Sequence, residues 1–322
     1  MPTLASRAKG AIWGVCIADA LGGPVQFKEP GTFPPIAGLG HVSPFDEPAG
    51  SYSDDGSMTL ALAQSFIDAH GHYDHRASVQ NYLDWLNRGA FSTTDYAWDV
   101  GVSTRLALSL WDASSSSSLR TEDAQRAVNA KLDRDSRCGN GSLMRMVPVG
   151  VVLWRDASTA RRVAREQGAV THPARACVEA CELYTEVVVA VMRGETKDRL
   201  ARIVAAFPLT HPALAERMAP YTRLEDWRDR SARTLRSTGW VVDTLELALW
   251  AFFAGDDWAD GALAVVNFGG DSDTAGAVYG GLAGAFYGME AIPRKWVEGM
   301  QKGWLIGMIA GELAGLVSRP DN

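Results

Sequence analysis

Glycines at positions 276, 280, 284 and 288 recur every fourth residue within the apolar run 274–288. On an α-helix that spacing makes one ridge without side chains, along which a neighbouring backbone can come close. Such a helix belongs at the middle of a bundle, not at its edge. Helical periodicity also dominates elsewhere: 58–69, 78–87, 124–132, 173–192 and 242–254 carry apolar residues at three- and four-residue spacing. Alternating β-branched runs are nearly absent, and the one strand-like stretch, 149–153, is explained as well by buried helix. Loops are marked at 22–35 and by the serine run 114–118, after which Thr121 reads as an N-cap with Glu122 and Asp123 in the first turn. No internal repeat and no long linker interrupts the chain, so a single domain over 1–322 is expected.

Composition narrows the function classes. A hydrophobic share of 47% with 21% charged residues is a normal globular balance. The net charge of −7 argues against a protein that coats nucleic acid, which needs a concentrated basic surface, but leaves room for a pocket that takes one phosphorylated ligand. Of four cysteines only Cys177 and Cys181 are close, spaced to share one face of a helix, and no disulfide framework is expected. The start carries Arg7 and Lys9 without a following apolar run, so no signal peptide is expected and the cytoplasm is the default compartment. The stretches 274–289 and 303–317 could pass for membrane spans. The first is short and rich in Gly and Ala, the second is broken by Glu312, and both read as buried helices without membrane insertion.

Two acidic clusters carry the chemistry. One is Tyr52-Ser53-Asp54-Asp55-Gly56-Ser57, the other Gly269-Gly270-Asp271-Ser272-Asp273-Thr274, and each leads into an apolar helix. Helix capping accounts for either alone. It accounts less well for the pair, because capping needs one residue and each cluster offers several oxygen-bearing side chains. If the clusters meet, their carboxylates raise one another's pKa unless cations neutralise them. Oxygen donors without a nearby His or Cys suit Mg²⁺ or Mn²⁺ better than zinc. Residue spacing leaves metal binding and double capping both open.

These segments resemble the ADP-ribosylglycohydrolase family, including the glycohydrolase that activates dinitrogenase reductase. The resemblance rests on Ala18-Asp19-Ala20-Leu21-Gly22, Ser53-Asp54-Asp55, Gly139-Asn140-Gly141-Ser142-Leu143-Met144-Arg145, Thr171-His172-Pro173 and Gly269 through Thr274, in family order along nearly the whole chain. It implies an all-α fold, an orthogonal helix bundle, with a binuclear Mg²⁺ or Mn²⁺ site in a cleft. The implied metal ligands are Ser53, Asp54, Asp55, Asp271, Asp273 and Thr274, with Asp273 bridging both ions. Asp99, in Asp99-Val100-Gly101, is implied to face the ribose or the attacking water. Asp19, Gln26, Asn140, Gly141, Ser142, His172 and Trp240 are the implied substrate contacts. Gln26 stands where many members have Glu, Ala18 where Gly is usual, Gly56 where Thr or Ser often follows, Val102 where some have Asn, and Trp240 where Tyr is common. The metal motif is therefore intact while the substrate rim is altered.

The implied activity is hydrolysis of the bond between ADP-ribose and an acceptor, foremost arginine in a modified protein, by a monomer. Cleavage passes through an oxocarbenium-like state, with Asp99 or Asp54 taking the proton of water and the Gly139–Ser142 loop offering backbone donors to phosphates. Arg145 reads as a phosphate contact or a structural ion pair. The histidines of 70–75 read as loop caps before they read as ligands, and His211, in a second Thr-His-Pro, has no family context. Two other acceptors, serine or a small molecule, fit the same motifs. A reading of another class is a non-catalytic ADP-ribose binder or a lens-type structural protein, which loss of metal ligands would favour.

Overall fold

A glycine-to-glycine contact between the first helix and a late one organises the structure. The computed structural model describes residues 1–115 and 121–319. The first half runs α1 (Leu4–Gly22), α2 (Asp54–Asp68), α3 (His75–Arg88), α4 (Val102–Ser115), α5 (Thr121–Leu132), α6 (Val147–Val152), α7 (Ala157–Ala169) and α8 (Arg175–Met192). The second half adds α9 (Lys197–Ala206), α10 (Pro212–Met218), α11 (Leu224–Arg228), α12 (Val241–Ala254), α13 (Trp258–Val266), α14 (Ser272–Tyr287), α15 (Arg294–Glu298) and α16 (Gly303–Val317). Among the described residues there is no strand, only isolated bridges at Val42–Glu47 and Gly139–Trp240. The fold is all-α, as expected.

α1 and α14 lie antiparallel with their backbones in contact. A Cβ on Gly14 would stand 2.1 Å from the carbonyl oxygen of Gly280, and one on Gly284 1.9 Å from that of Gly10. One on Gly276 would meet the Ala18 carbonyl at 2.7 Å, and one on Gly22 the Asp273 amide nitrogen at 2.4 Å. No side chain fits between the helices at these levels. The antiparallel arrangement sets the C-terminal end of α1, with Asp19, beside the N-terminal end of α14, with Asp271 and Asp273. Gly288 closes the ridge: a Cβ on it would stand 2.5 Å from Ser6 Oγ of α1, and at φ 83° it also ends the helix.

Around this pair one contiguous apolar core reaches from Ala8 on α1 to Val317 on α16. α8 closes one side, where the Tyr184 hydroxyl donates to the Val278 carbonyl at 2.9 Å. On the other side Trp13 covers Gly303 and Gly307 of α16. Segment 149–153 falls largely in α6, so the strand-like run is buried helix. Thr121 is the first helical residue of α5 rather than its cap, and its hydroxyl accepts from Arg76. Ser114 and Ser115 end α4, while 116–118 of the serine run lie outside the described residues. Gly22, expected in a loop, is the last residue of α1. Cys177 and Cys181 are free, buried thiols on α8. Among the described residues no helix is long and apolar enough to cross a membrane.

Candidate active site

Three helix ends meet at one edge of the bundle. α2 begins with Asp54 and Asp55, and its first free amides are satisfied from another helix: Asp19 of α1 accepts from the Ser53 nitrogen at 2.9 Å and from Gly56 at 2.9 Å. Asp19 is 1% exposed, so it fixes the entry of α2 and does not reach the cleft expected for it. The Ser53 hydroxyl donates to Asp55 Oδ2 at 2.9 Å. At α14 the N-cap residue Asp271 makes no capping hydrogen bond with its side chain. Its Oδ2 accepts from Asn140 Nδ2 at 2.8 Å.

The acidic stretches, more than two hundred residues apart, now face one another. Burial pushes Asp273 well above the usual carboxylate range, and repulsion from Asp271, Asp55, Asp99 and Asp19 adds to it. Asp55 is raised in the same way by burial, then by Asp19 and Asp271, and Asp54 by burial, then by Asp55 and Asp99. Asp19 is raised to about 7, chiefly by burial. The N-terminal ends of α2 and α14 favour negative charge here, but they do not offset so many buried carboxylates. Asp55 Oδ1 and Asp273 Oδ1 are buried without any hydrogen-bond partner. Among the described residues, however, no group of three or more His, Cys, Asp or Glu side chains is placed so that it could hold a metal ion as it stands. The acids are gathered, with free oxygens, but not drawn together.

A cleft of about 370 Å³ opens over this cluster, lined by Asp54, Asp271, Asp273 and Thr274 on one side and by Asp99, Asn140, Gly141 and His172 on another. Ser53 and Asp55 lie beneath it. Asp99 holds a left-handed backbone at φ 53°, uncommon for a residue with a side chain, just before α4. Burial raises it to about 6 and Asp271 adds to that, while the nearby Gln26 and Asp273 side chains oppose it. Gln26 itself is buried and its Nε2 reaches no acceptor at hydrogen-bond geometry.

The Gly269-Gly270 pair shapes the walls. Both residues are left-handed, and a Cβ would strike the Lys28 carbonyl from Gly269 at 2.3 Å and the Ser237 carbonyl from Gly270 at 2.0 Å. The close approach that this pair allows is thus to the chain's own cleft walls. Phe27, 67% exposed at the mouth, was not legible as a site residue. Its only sequence signal is an aromatic inside a Gly/Pro-rich loop.

The 139–145 loop divides its residues between cleft and core. Asn140 uses its amide nitrogen on Thr244 and Asp271, at 2.9 and 2.8 Å, which leaves Oδ1 free to accept. Ser142 is fully buried and accepts from the Cys181 thiol at 3.5 Å, so it does not line the cleft as expected. Arg145, also fully buried, is neither a phosphate contact nor half of an ion pair with a carboxylate among its hydrogen bonds. It donates to the Gly141 and Gln167 carbonyls and to Thr171 Oγ1, and lies over the Tyr82 ring. Thr171 Oγ1 also pairs with His172 Nδ1, 2.8 Å away, in a direction set by the ring's tautomer, and Nε2 lies on the side of Gly139 and Gly141. Burial, with Arg145 nearby, lowers His172 to about 3, so the ring is neutral.

Trp240 stands apart from the cleft. It lines an adjoining groove of about 290 Å³ that shares Ser103, Gly139 and Gly239 with it. Val102 is 74% exposed at the start of α4. Of the remaining histidines, His75 opens α3 and pairs with the Tyr73 hydroxyl, while His211 caps α10 beside Asp135.

Comparison with known proteins adds four findings. The family model described as ADP-ribosylglycohydrolase matches residues 1–322. An ADP-ribosylarginine hydrolase of Pseudomonas putida is 29% identical over 278 residues, covering 86% of this chain and 69% of the relative. An ADP-ribosyl-dinitrogen reductase glycohydrolase of Rhodospirillum rubrum is 26% identical over 286 residues, covering 88% and 86%. A solved chain titled as an ADP-ribosylglycohydrolase-related protein complex superposes with a TM-score of 0.80 at 29% identity, over 98% of this chain and 100% of that one.

Proposed function

The chain belongs to the ADP-ribosylglycohydrolase family, and from that premise we propose that it hydrolyses the bond between ADP-ribose and arginine in a modified protein, with two divalent cations. The relative of Pseudomonas putida named an ADP-ribosylarginine hydrolase supports the arginine linkage. One observation carries the reading: the carboxylates of α2 and α14 share a buried edge where Asp55 Oδ1 and Asp273 Oδ1 have no partner within the protein. At α14 the N-cap residue Asp271 likewise spends no side-chain oxygen on capping the helix. A cation would satisfy the unpaired oxygens and remove the repulsion, and an all-oxygen donor set fits Mg²⁺ or Mn²⁺.

Ser53, Asp54, Asp55, Asp271, Asp273 and Thr274 would hold the ions, Asp54 and Asp273 each being repelled by four other acids that a cation would screen. Bound there, the ions supply Lewis acidity for the ribose hydroxyls and the attacking water. Asp99, at the edge of the cluster and ionised above about pH 6, takes the proton of the water. Asn140 Oδ1 accepts from a ribose hydroxyl, and neutral His172 pairs through Nε2 with another ribose hydroxyl without adding a charge. Trp240 offers its ring to the adenine in the adjoining groove.

A second acceptor fits the same cleft. The Gln26 amide carries both a donor and an acceptor there, so it admits the oxygen of a serine or ester linkage as well as a guanidinium. The test is release of ADP-ribose from arginine- and serine-linked peptides with Mg²⁺, Mn²⁺ or chelator. Release from the arginine peptide that stops with chelator is the expected result. Release from serine alone moves the acceptor. Tight ADP-ribose binding with no release under any metal assigns the chain to the non-catalytic binders.

A further inference from the structure

Trp240 is held by a buried ion network that belongs to none of the acidic motifs. Arg217 of α10 places its guanidinium carbon 5.5 Å from the centre of the Trp240 ring, on cation–π terms. The same guanidinium donates through Nη1 to Asp243 Oδ1 at 2.7 Å and to Glu246 Oε2 at 2.7 Å, both on α12. Those carboxylates are nearly inaccessible, with side chains 3% and 1% exposed. Asp243 Oδ2 in turn accepts from the Thr238 hydroxyl at 2.8 Å, and that hydroxyl accepts from the Trp240 amide at 3.2 Å. The network therefore grips the ring from one face and its backbone from below.

The gripped segment continues into the cleft. The Gly239 carbonyl accepts from the Asn140 amide at 3.1 Å, and the Ser237 carbonyl from the Asp271 amide at 3.3 Å. Neutralising Asp243 and Glu246 would require only a positive charge, which Lys could supply. Standing over an indole while one nitrogen bonds two carboxylates suits the broad, delocalised guanidinium of arginine better than the compact ammonium of lysine.

We propose that Arg217 is a positioning residue that fixes the Trp240 ring as the wall of the groove beside the cleft. Its effect on catalysis rests on the reading above that Trp240 stacks on the adenine; its effect on the ring does not. Arg217 touches no reacting atom. It acts by removing the rotamer freedom of Trp240 before the nucleotide arrives, so the binding step and not the chemical step responds to it.

The experiment uses the full chain labelled with 5-fluorotryptophan, the Trp240 fluorine resonance being assigned from Trp240→Phe. Arg217→Lys keeps the charge, and it is expected to shift or broaden that resonance while other tryptophan resonances stay in place. Should Arg217→Lys melt early, Thr238→Val, which cuts the loop from Asp243 but leaves the ion pairs, must move the same resonance. ADP-ribose binding is expected to weaken about tenfold in Arg217→Lys, with kcat changed less than about twofold. In a Trp240→Ala background the Arg217→Lys change should add nothing further. An unmoved Trp240 resonance in both variants overturns the proposal, as does an equal loss of binding with and without the ring. Failure of the wild-type protein to bind ADP-ribose overturns the functional reading instead, and the ligand-free resonance still decides the role of Arg217.

Discussion

Asp156 and Asp271 occupy the same formal place, the N-cap of a helix, and their carboxylates have opposite surroundings. At α7, Asp156 Oδ1 accepts from the Ser158 and Thr159 amides at 3.0 and 3.1 Å, and the hydroxyls of both residues donate to the same carboxylate. Those bonds hold it well below the usual carboxylate range. At α14, Asp271 caps nothing with its side chain and faces Asp273, Asp54 and Asp55, whose carboxyls are pushed up by burial and by one another. A satisfied acid at a helix start is a stability device. A set of acids at two helix starts, buried and with free oxygens, is costly for the protein alone, and it is this cost that the proposed cations would relieve. Residue type does not separate the two cases. Partners do.

The comparison breaks most visibly at Asp273. Asp273→Asn should lower kcat by on the order of a thousandfold and abolish Mn²⁺ binding by calorimetry, with the far-ultraviolet helix signal retained. Unaltered turnover would remove Asp273 from the centre of the site.

The second test attacks what brings the acids together. In Gly280→Val the new side chain meets the Gly14 carbonyl, where even a Cβ would be only 2.1 Å away. Separating α1 from α14 should destabilise the protein by about 3 kcal/mol in denaturant titration and loosen cation affinity with it. Gly311→Ala on α16, where no atom lies within 4 Å of the added Cβ, should be tolerated.

The third sharpens the electrostatic contrast. Asp99 and Asp19 are raised by burial to about 6 and about 7, so their protonated forms favour the folded state. Their stabilisation is complete below the unfolded value near 4 and is lost as pH climbs through 6 to 7. With chelator present, the melting temperature should therefore fall between pH 5 and pH 8. Added Mg²⁺ or Mn²⁺ should recover more of it at pH 8 than at pH 5, and equal recovery at both would contradict the carboxylate account. Asp156 has the opposite sign, because its depressed carboxyl favours the fold above the unfolded value and that contribution is lost on acidification.

The smallest effect belongs to the ordinary cap. Asp156→Ala should lower the melting temperature by about 2 °C and leave both ADP-ribose release and cation binding unchanged.

Much of this was legible in the order of residues. The periodic apolar runs became α2, α3, α5, α8, α12 and α14, and the Ser53–Asp55 and Gly269–Thr274 stretches proved to share one cleft edge. Helix ends were read less well: Thr121 entered the helix it was expected to cap, and Gly22, expected in a loop, ended α1. The rim was read worst. Asp19 and Ser142 carry polar side chains inside family motifs, yet Asp19 serves the amides of α2 and Ser142 accepts from Cys181. Phe27 and Arg217 belong to no motif, and only their neighbours in space give them a place at the site.

Local chemistry explains where that boundary falls. Helix periodicity, side-chain-free ridges and oxygen-rich helix starts are properties of neighbouring residues, so the amino-acid order alone determined an all-helical chain with carboxylate-rich helix starts in two distant stretches. Which oxygens face a cleft, which amide Asn140 gives to Asp271, and which cation lies over Trp240 depend on contacts between residues more than twenty, and often more than a hundred, positions apart. Only the backbone-to-backbone packing of α1 on α14 decided those, because no spacing along the chain encodes how closely two helices can approach until both are folded.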